Sequence, residues 1–433
     1  MRRFLTIILL FLSVAAFAQE QPDSVCAVVM DAETGEPVPY VSIYVSPSCG
    51  TISNYDGEFS LECLPSDVLR ITSIGYQRVS FQAMELPDTI RMKPVASTLR
   101  EVTVMGTDDV LYRLVRKMQK EAGKHKKTES NYFFRLTTQY PGTDELAEAF
   151  LSAKSCVQLR NITFHSGNRG LLVEKGILDN PDLKGLGRTN LHVFLRLAPI
   201  LVFYDYWDFA LVPGDIVLNR KGKIYEASCT KFTEDDGTEI RKIRVEGKPG
   251  YWPSDPILEG TMYVDYKRCQ LLRFDGQMRG LFLRMYDHGR QRLSIDTVSY
   301  DMHIDYRHDH GFTEIANMSG TIVRDKVMLR YLLCNLGDKE MTFKKSVHVG
   351  DNMLQTIDKV GYDSLLWATT SIVKRTQLEE RIAFQDSTFF MPNRSKYNTP
   401  PTEQERAANK YLRDAIHQLK GNAMQLHRGL PQK

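Results

Sequence analysis

Apolar and polar positions alternate in short runs along the first hundred residues, with turn residues between the runs. SVCAVVMD reads as a strand, and AETGEPVPY after it as a turn rich in Gly and Pro. VSIYVSP reads as a second strand. GTISNYDGEFSLEC reads as two short strands around Asp56-Gly57, a hairpin signal because both residues suit positive φ. DVLRITSIGYQRVSFQA adds two strands with Gly75 between them, and DTIRMKP and REVTVMG close the series. About seven short strands with short turns predict a β-sandwich over residues 24–105. Phe59 and Leu61 alternate onto one face and are expected in its core. Gly75 permits a bulge or a close backbone approach before Tyr76.

Residues 108–362 start differently. Asp108 or Asp109 can cap a helix, DVLYRLVRKMQKEAGKH, in which Val110, Leu111, Leu114, Val115, Met118 and Ala122 form one apolar stripe. Its basic side reads as a solvated face or as one suited to anionic head groups. From Tyr132 strands dominate. NYFFRLTTQY is the first, and a partly helical or irregular stretch is expected through NLHVFLRLAPILVFYDYW. A meander follows: GKIYEASCTKF and TEIRKIRVEG around Asp236-Gly237, the hairpin EGTMYVDYKRCQLLRFDGQM, then RLSIDTVSYDMHIDYR, FTEIANMSGTIVRD and KEMTFKKSVHV. The alternation is that of antiparallel strands with one wet face, and the order implies one large curved sheet.

A helical tail is expected over residues 363–433. Thr376 and Glu379 form a capping-box pair that starts one helix. Thr402 and Glu405, behind Pro400 and Pro401, start another, with Ala408, Tyr411, Leu412, Ala415, Ile416 and Leu419 as its stripe. That stripe packs on the sheet or docks on a partner. No series of membrane strands follows it.

At the other end, Arg2 and Arg3 precede the apolar run FLTIILLFLSVAAF, and Ala16-Phe17-Ala18 supplies the small residues of a cleavage site. Residues 1–18 are therefore expected to be a signal peptide, with the mature chain starting at Gln19 and holding no integral membrane span. The net charge of +3 falls to about +1 once Arg2 and Arg3 leave. That excludes a dedicated nucleic-acid binder, which needs a marked basic excess.

An exported chain is permitted disulfides. The seven Cys contain no CxxC pair, and their odd number leaves at least one free. Cys49 and Cys63 flank the expected hairpin and are the best candidate pair. The alternative is that all are small buried hydrophobes.

GEPVPYVSIYV, GTISNYDGEFSL and LRITSIGYQ together resemble the carboxypeptidase regulatory-like domain. Gly35, Pro37, Pro39, Asp56, Gly57, Phe59, Gly75 and Tyr76 fall on its motif positions. The resemblance implies a prealbumin-like, seven-stranded sandwich of the kind found at the N-terminus of TonB-dependent outer-membrane proteins. GTMYVDYKRCQLLRF resembles a hairpin of periplasmic lipoprotein-carrier half-barrels, which enclose an apolar pocket.

Chemistry is sparse. A zinc carboxypeptidase needs a His-x-x-Glu pair and a distant His, and no His here is followed by Glu at that spacing. HExxH, GxSxG and the Walker glycine loop are also missing. No catalytic, cofactor or metal residues are assigned. HIDYRHDHG is the densest polar run: His303, Asp305 and Arg307 alternate onto one face of a strand, and His308 and His310 onto the other. His308 and His310 could hold a ligand or, with Asp305 or Asp309, a metal. DYWDF, following LAPILVFY, sets Tyr204, Asp205, Trp207 and Asp208 as a candidate glycan grip or a piece of core.

The expectation is a mainly β protein with some α. It is an exported, non-enzymatic chain with a binding or assembly role at the periplasmic face of the outer membrane, where it meets a protein partner or a lipid or glycan. The alternatives are a periplasmic carrier of an apolar, lipid-like ligand and a hydrolase whose best candidate site is His303 to His310.

Overall fold

The computed structural model describes residues 22–46, 49–95, 103–104, 117, 129–140, 142–154, 160–173, 225–234, 236–247, 257–281, 285–287, 290–292, 298–309, 312–324, 327–337, 341–348, 353–370 and 373–383. The leader at 1–18, the helix at 109–125 apart from Lys117, Cys156, the aromatic run with Tyr204, Asp205, Trp207 and Asp208, His310, and the last tail helix lie outside the described residues. The chain is mainly β with a few helices. It divides into two compact units. The first is drawn from Met1–Ala96, Glu234–Asp236 and Trp367–Thr376; the second from Ser97–Thr233, Gly237–Leu366 and Gln377–Lys433.

Among the described residues the first unit holds seven strands: β1 (Asp23–Asp31), β2 (Ser42–Ser46), β3 (Cys49–Ile52), β4 (Glu58–Cys63), β5 (Val68–Thr72), β6 (Val79–Gln82) and β7 (Thr89–Met92). They form two sheets, ordered β4-β1-β7 and β3-β2-β5-β6, with β1 and β7 parallel. Alternation puts Val29, Ile43, Phe59, Leu61, Leu69, Ile71, Ile90 and Met92 into one buried cluster. Each such side chain contributes about 1.5–3 kcal/mol relative to exposure. Tyr76 O–H donates to Asp31 Oδ2 at 2.9 Å, while Asp31 Oδ1 accepts the N–H groups of Glu33 and Thr34. The Gly75-Tyr76 pair is thus tied to the turn after β1.

Asp56-Gly57 is not a hairpin. β3 pairs with β2 and β4 with β1, so the chain crosses between the sheets here. Asn54 Oδ1 accepts the N–H groups of Asp56 (3.0 Å) and Glu58 (2.9 Å). Gly57 has φ 76°, and a Cβ there would lie 2.5 Å from Val29 O. The dipeptide specifies a tight turn, but the core decides the pairing. Pairing β4 with β1 sends Phe59 and Leu61 into the core, whereas Ile52 on β3 shares a face with Ser42 rather than with the core residue Ile43. The expected Cys49–Cys63 bridge rested on the hairpin. Both are free thiols, with Cys63 buried and Cys49 half-buried.

The second unit is built on one large sheet. Its strands are β8 (Thr103–Val104), β9 (Glu129–Tyr140), β10 (Thr143–Lys154), β11 (Arg160–Val173), β12 (Tyr225–Thr233), β13 (Glu239–Gly247), β14 (Ile257–Asp265) and β15 (Gln270–Leu281). A separate pair follows, β16 (Met285–Asp287) and β17 (Arg290–Arg292). Then come β18 (Val298–Asp309), β19 (Phe312–Arg324), β20 (Val327–Asn335) and β21 (Val347–His348). The order is β21-β11-β10-β9-β20-β19-β18-β15-β14-β13-β12-β8. Thr103–Val104, expected to close the sandwich, pair instead with Cys229 and Ser228 of β12.

The stretch expected as partly helical begins with two strands, β10 and β11. TDELAEAFLSAK contains good helix formers, yet all twelve residues pair with β9. Leu146, Glu148 and Phe150 face one way and Ala147, Ala149 and Leu151 the other, and all are buried. Tertiary pairing overrides local propensity here.

Among the described residues three short helices follow β21: α1 (Met353–Val360), α2 (Ser364–Thr369) and α3 (Gln377–Ala383). α1 and α3 pack on β11, where Gly167 and Gly170 leave the room taken by Ile357 and Ile382. Gly167 N–H donates to Gly361 O at 2.8 Å, and β21 pairs at Thr163 and Phe164. These contacts cover the backbone of β11 at the sheet's edge.

Candidate functional site

The polar residues of the large sheet gather through strand register. Directly paired residues of antiparallel strands share a face. Arg273 and Asp275 on β15 pair with Asp305 and His303 on β18. Asp305 and His303 pair in turn with Asn317 and Ser319 on β19. Six polar side chains thus share one patch.

Arg273 Nε donates to Asp305 Oδ1 at 2.6 Å. His303 uses both ring nitrogens, Nδ1 with Asp275 Oδ1 at 2.5 Å and Nε2 with Asp305 Oδ2 at 2.9 Å. Asn317 Nδ2 donates to Asp305 Oδ2 at 3.1 Å. Burial alone would lower the His303 pKa, but the Asp305 charge and the two hydrogen bonds outweigh it and lift the value to about 9. Burial disfavours the Asp305 carboxylate, yet the Arg273 and His303 charges hold its pKa well below the usual range. His303 is therefore an imidazolium at neutral pH, with both N–H groups donated to carboxylates. It has no lone pair to take a proton from Ser319, so this pair is not a Ser–His base.

A second network lies on the same face, as register through Ser319, Leu332, Arg135 and Glu148 requires. Arg135 Nε meets Glu148 Oε1 at 2.8 Å and Nη1 meets Glu379 Oε2 at 3.3 Å, with all three side chains buried. Near the sheet's edge, His165 contacts Ser152 Oγ and Ser346 Oγ, each at 2.9 Å, and stacks on Phe343 at 3.6 Å. Burial lowers the His165 pKa. Ser152 is also buried, so this grouping pins a segment rather than presenting a nucleophile.

Of the six residues singled out in the sequence, only His308 is described. It stands on the opposite side of β18 from His303 and Asp305, with Nε2 at 2.6 Å from Leu271 O. Among the described residues no group of three or more His, Cys, Asp or Glu is arranged to hold a metal. Arg273, Asp275, Asn317 and Ser319 were not anticipated. Their signal is an Arg-x-Asp on one strand and a His-x-Asp on another, meaningful only once the register between them is known.

Comparison with known proteins concerns mainly the first unit. A 106-residue stretch is 36% identical to the TonB-dependent receptor SusC of Bacteroides thetaiotaomicron, covering 23% of this chain and 10% of that receptor. The chain thus matches only about a tenth of its curated relative. Among solved structures, a DUF1329 family protein from Desulfovibrio piger aligns at 12% identity over 55% of this chain and 96% of that one, with a TM-score of 0.20. That score carries no argument. Residues 26–104 match the CarboxypepD_reg-like domain family, and the chain carries such a domain at its N-terminal end.

Proposed function

We propose that this chain is an exported, non-enzymatic protein with a binding or assembly role at the periplasmic face of the outer membrane. The observation that carries the reading is the CarboxypepD_reg-like domain, whose matching relative is a TonB-dependent receptor. The large sheet supports it from the chemical side. Its main polar patch is a network of paired charges, and its histidine holds both protons. Among the described residues no helix is long and apolar enough to cross a membrane.

A carrier of an apolar ligand is less favoured. On the apolar face of the sheet, the Phe274 ring fills the space left by Gly260 and Gly276, and Tyr331 fills that left by Gly320. The rings lie over these three glycines, where an apolar ligand would otherwise meet bare backbone.

The test is fractionation of cells carrying a tagged full-length chain, followed by in-cell cross-linking. The expected result is recovery from the envelope with a cross-link to an outer-membrane protein. Recovery from the cytoplasm would overturn the proposal. Native mass spectrometry of the gently purified chain separates the carrier reading, which requires a bound lipid mass.

A further inference from the structure

In the second unit Tyr362 and Leu365 are the most exposed large apolar side chains among the described residues, at 60% and 61%. A single exposed Leu needs no explanation. Two large apolar side chains three positions apart, in a turn that is tied down, are a built feature. Gly167 N–H donates to Gly361 O at 2.8 Å, and Asp363 N–H donates to Ser166 Oγ at 2.8 Å. The backbone is thus fixed to β11 on either side of Tyr362. Asp363 Oδ1 accepts the N–H groups of Leu365 (3.1 Å) and Leu366 (3.4 Å), which sets the first turn of α2. Leu366 turns into the protein, and Leu365 stays in solvent.

Positive charge flanks the pair. Lys344 Nζ donates to Asp363 Oδ1 at 2.9 Å, so its ammonium sits one carboxylate oxygen away from the Leu365 amide. Its side chain remains 68% exposed. Lys345 Nζ donates to Lys359 O in the last turn of α1, two residues before Gly361. Lys359 is itself exposed. The carboxylates beside them are already neutralised, Asp363 by Lys344 and Asp358 by Arg169. Among the described residues Lys345 and Lys359 have no salt bridge, so these two ammonium charges are left over.

Two protruding apolar side chains are too few for a stable protein interface, which needs about 800 Å² from each partner and a packed centre. They suit a bilayer surface, which takes a Leu at the acyl boundary, a Tyr at headgroup level and Lys against the phosphates. We propose that the turn between α1 and α2 docks the protein on an anionic phospholipid surface. Leu365 and Tyr362 enter the bilayer, and Lys344, Lys345 and Lys359 meet the phosphates. The attachment is peripheral and needs no spanning segment. The inference goes beyond the outer-membrane reading: vesicles test the surface and cell fractionation tests the location, so either can fail alone.

The experiment sediments the full mature chain with phosphatidylcholine vesicles, with and without about one-third phosphatidylglycerol. The expected result is binding to the anionic vesicles alone, weakened by salt. Leu365→Ser is expected to weaken it on the order of tenfold. Lys359→Gln is expected to weaken it about threefold to fivefold. Both positions are exposed, so thermal unfolding of the variants should match that of the parent. No binding to anionic vesicles, equal binding to pure phosphatidylcholine, or undiminished binding in the double variant would each overturn the proposal, the last by placing the contact elsewhere on the chain. A photo-cross-linker at position 365 checks the occupant in cells. Lipid adducts are expected, and a protein adduct in their place would overturn the assignment to a membrane.

Discussion

Thr137 and Glu379 stand 242 residues apart in the chain, yet Thr137 Oγ1 donates to Glu379 Oε1 at 2.8 Å. The same carboxylate takes Arg135 Nη1 through its other oxygen. Glu379 stands three residues after Thr376, at the capping-box position of α3, and its carboxylate is drawn down onto the sheet. One short helix is thereby fastened by charge as well as by Ile382.

Arg135 is shared by Glu148 and Glu379, so its loss takes the cation away from two buried carboxylates. Arg135→Met is expected to destabilise the protein by about 3–5 kcal/mol. Glu379→Gln leaves Arg135 paired with Glu148 and retains a hydrogen-bonding amide, so it is expected to cost about 1–2 kcal/mol. Urea unfolding of both variants checks the order. Equal losses would show that the two carboxylates do not share the arginine.

His303 makes stability depend on pH at the alkaline side. Its folded pKa of about 9 lies above the unfolded value near ~6.5. Its contribution is fully present below about pH 6.5 and is lost as pH rises through about 9. Asp305 acts in the opposite sense. Its depressed pKa means a contribution present above about pH 4 and lost as pH falls further. Urea midpoints measured from pH 6 to 10 should fall more steeply in the parent than in His303→Gln. Parallel curves would remove His303 as the cause.

Gly57→Ala is expected to destabilise by about 1–3 kcal/mol, because positive φ and the nearby Val29 carbonyl both oppose a side chain. Gly35 has φ 72° but open space around it, so Gly35→Ala meets the conformational cost alone. Thermal unfolding of the two variants should show the larger shift for Gly57. Equal shifts would mean that the sheet-crossing turn relaxes away from Val29.

The thiols give a direct check on the cysteines. Cys26 is exposed, while burial pushes the Cys334 thiol up to about 12. Iodoacetamide at pH 8 should label Cys26 in the folded protein and leave Cys334 untouched. In guanidinium without reductant, Cys49 and Cys63 should both be alkylated. Protection of that pair until a reductant is added would show a disulfide instead.

Local pattern was enough for the strands of the sandwich, the turn at Asp56-Gly57, the hairpins at Asp236-Gly237 and after Asp265, and the inward positions of Phe59 and Leu61. These follow from side-chain alternation and from which residues tolerate positive φ, both properties of a few consecutive residues. The helix α3 begins directly after Thr376 for the same reason. The CarboxypepD_reg-like domain was legible because its motif residues are structural and lie close together.

Pairing between distant strands was decided by the tertiary structure alone. β3 and β4 part into different sheets, β3 pairing with β2 and β4 with β1, where Phe59 and Leu61 reach the core. TDELAEAFLSAK becomes a strand because β9 offers it a full ladder. Arg273, Asp275, His303, Asp305, Asn317 and Ser319 are ordinary alternating polar positions until register stacks them on one face. Sequence carries the period of a strand, whereas a buried charge network needs the partner of each residue. That partner is chosen by the packing of the whole sheet.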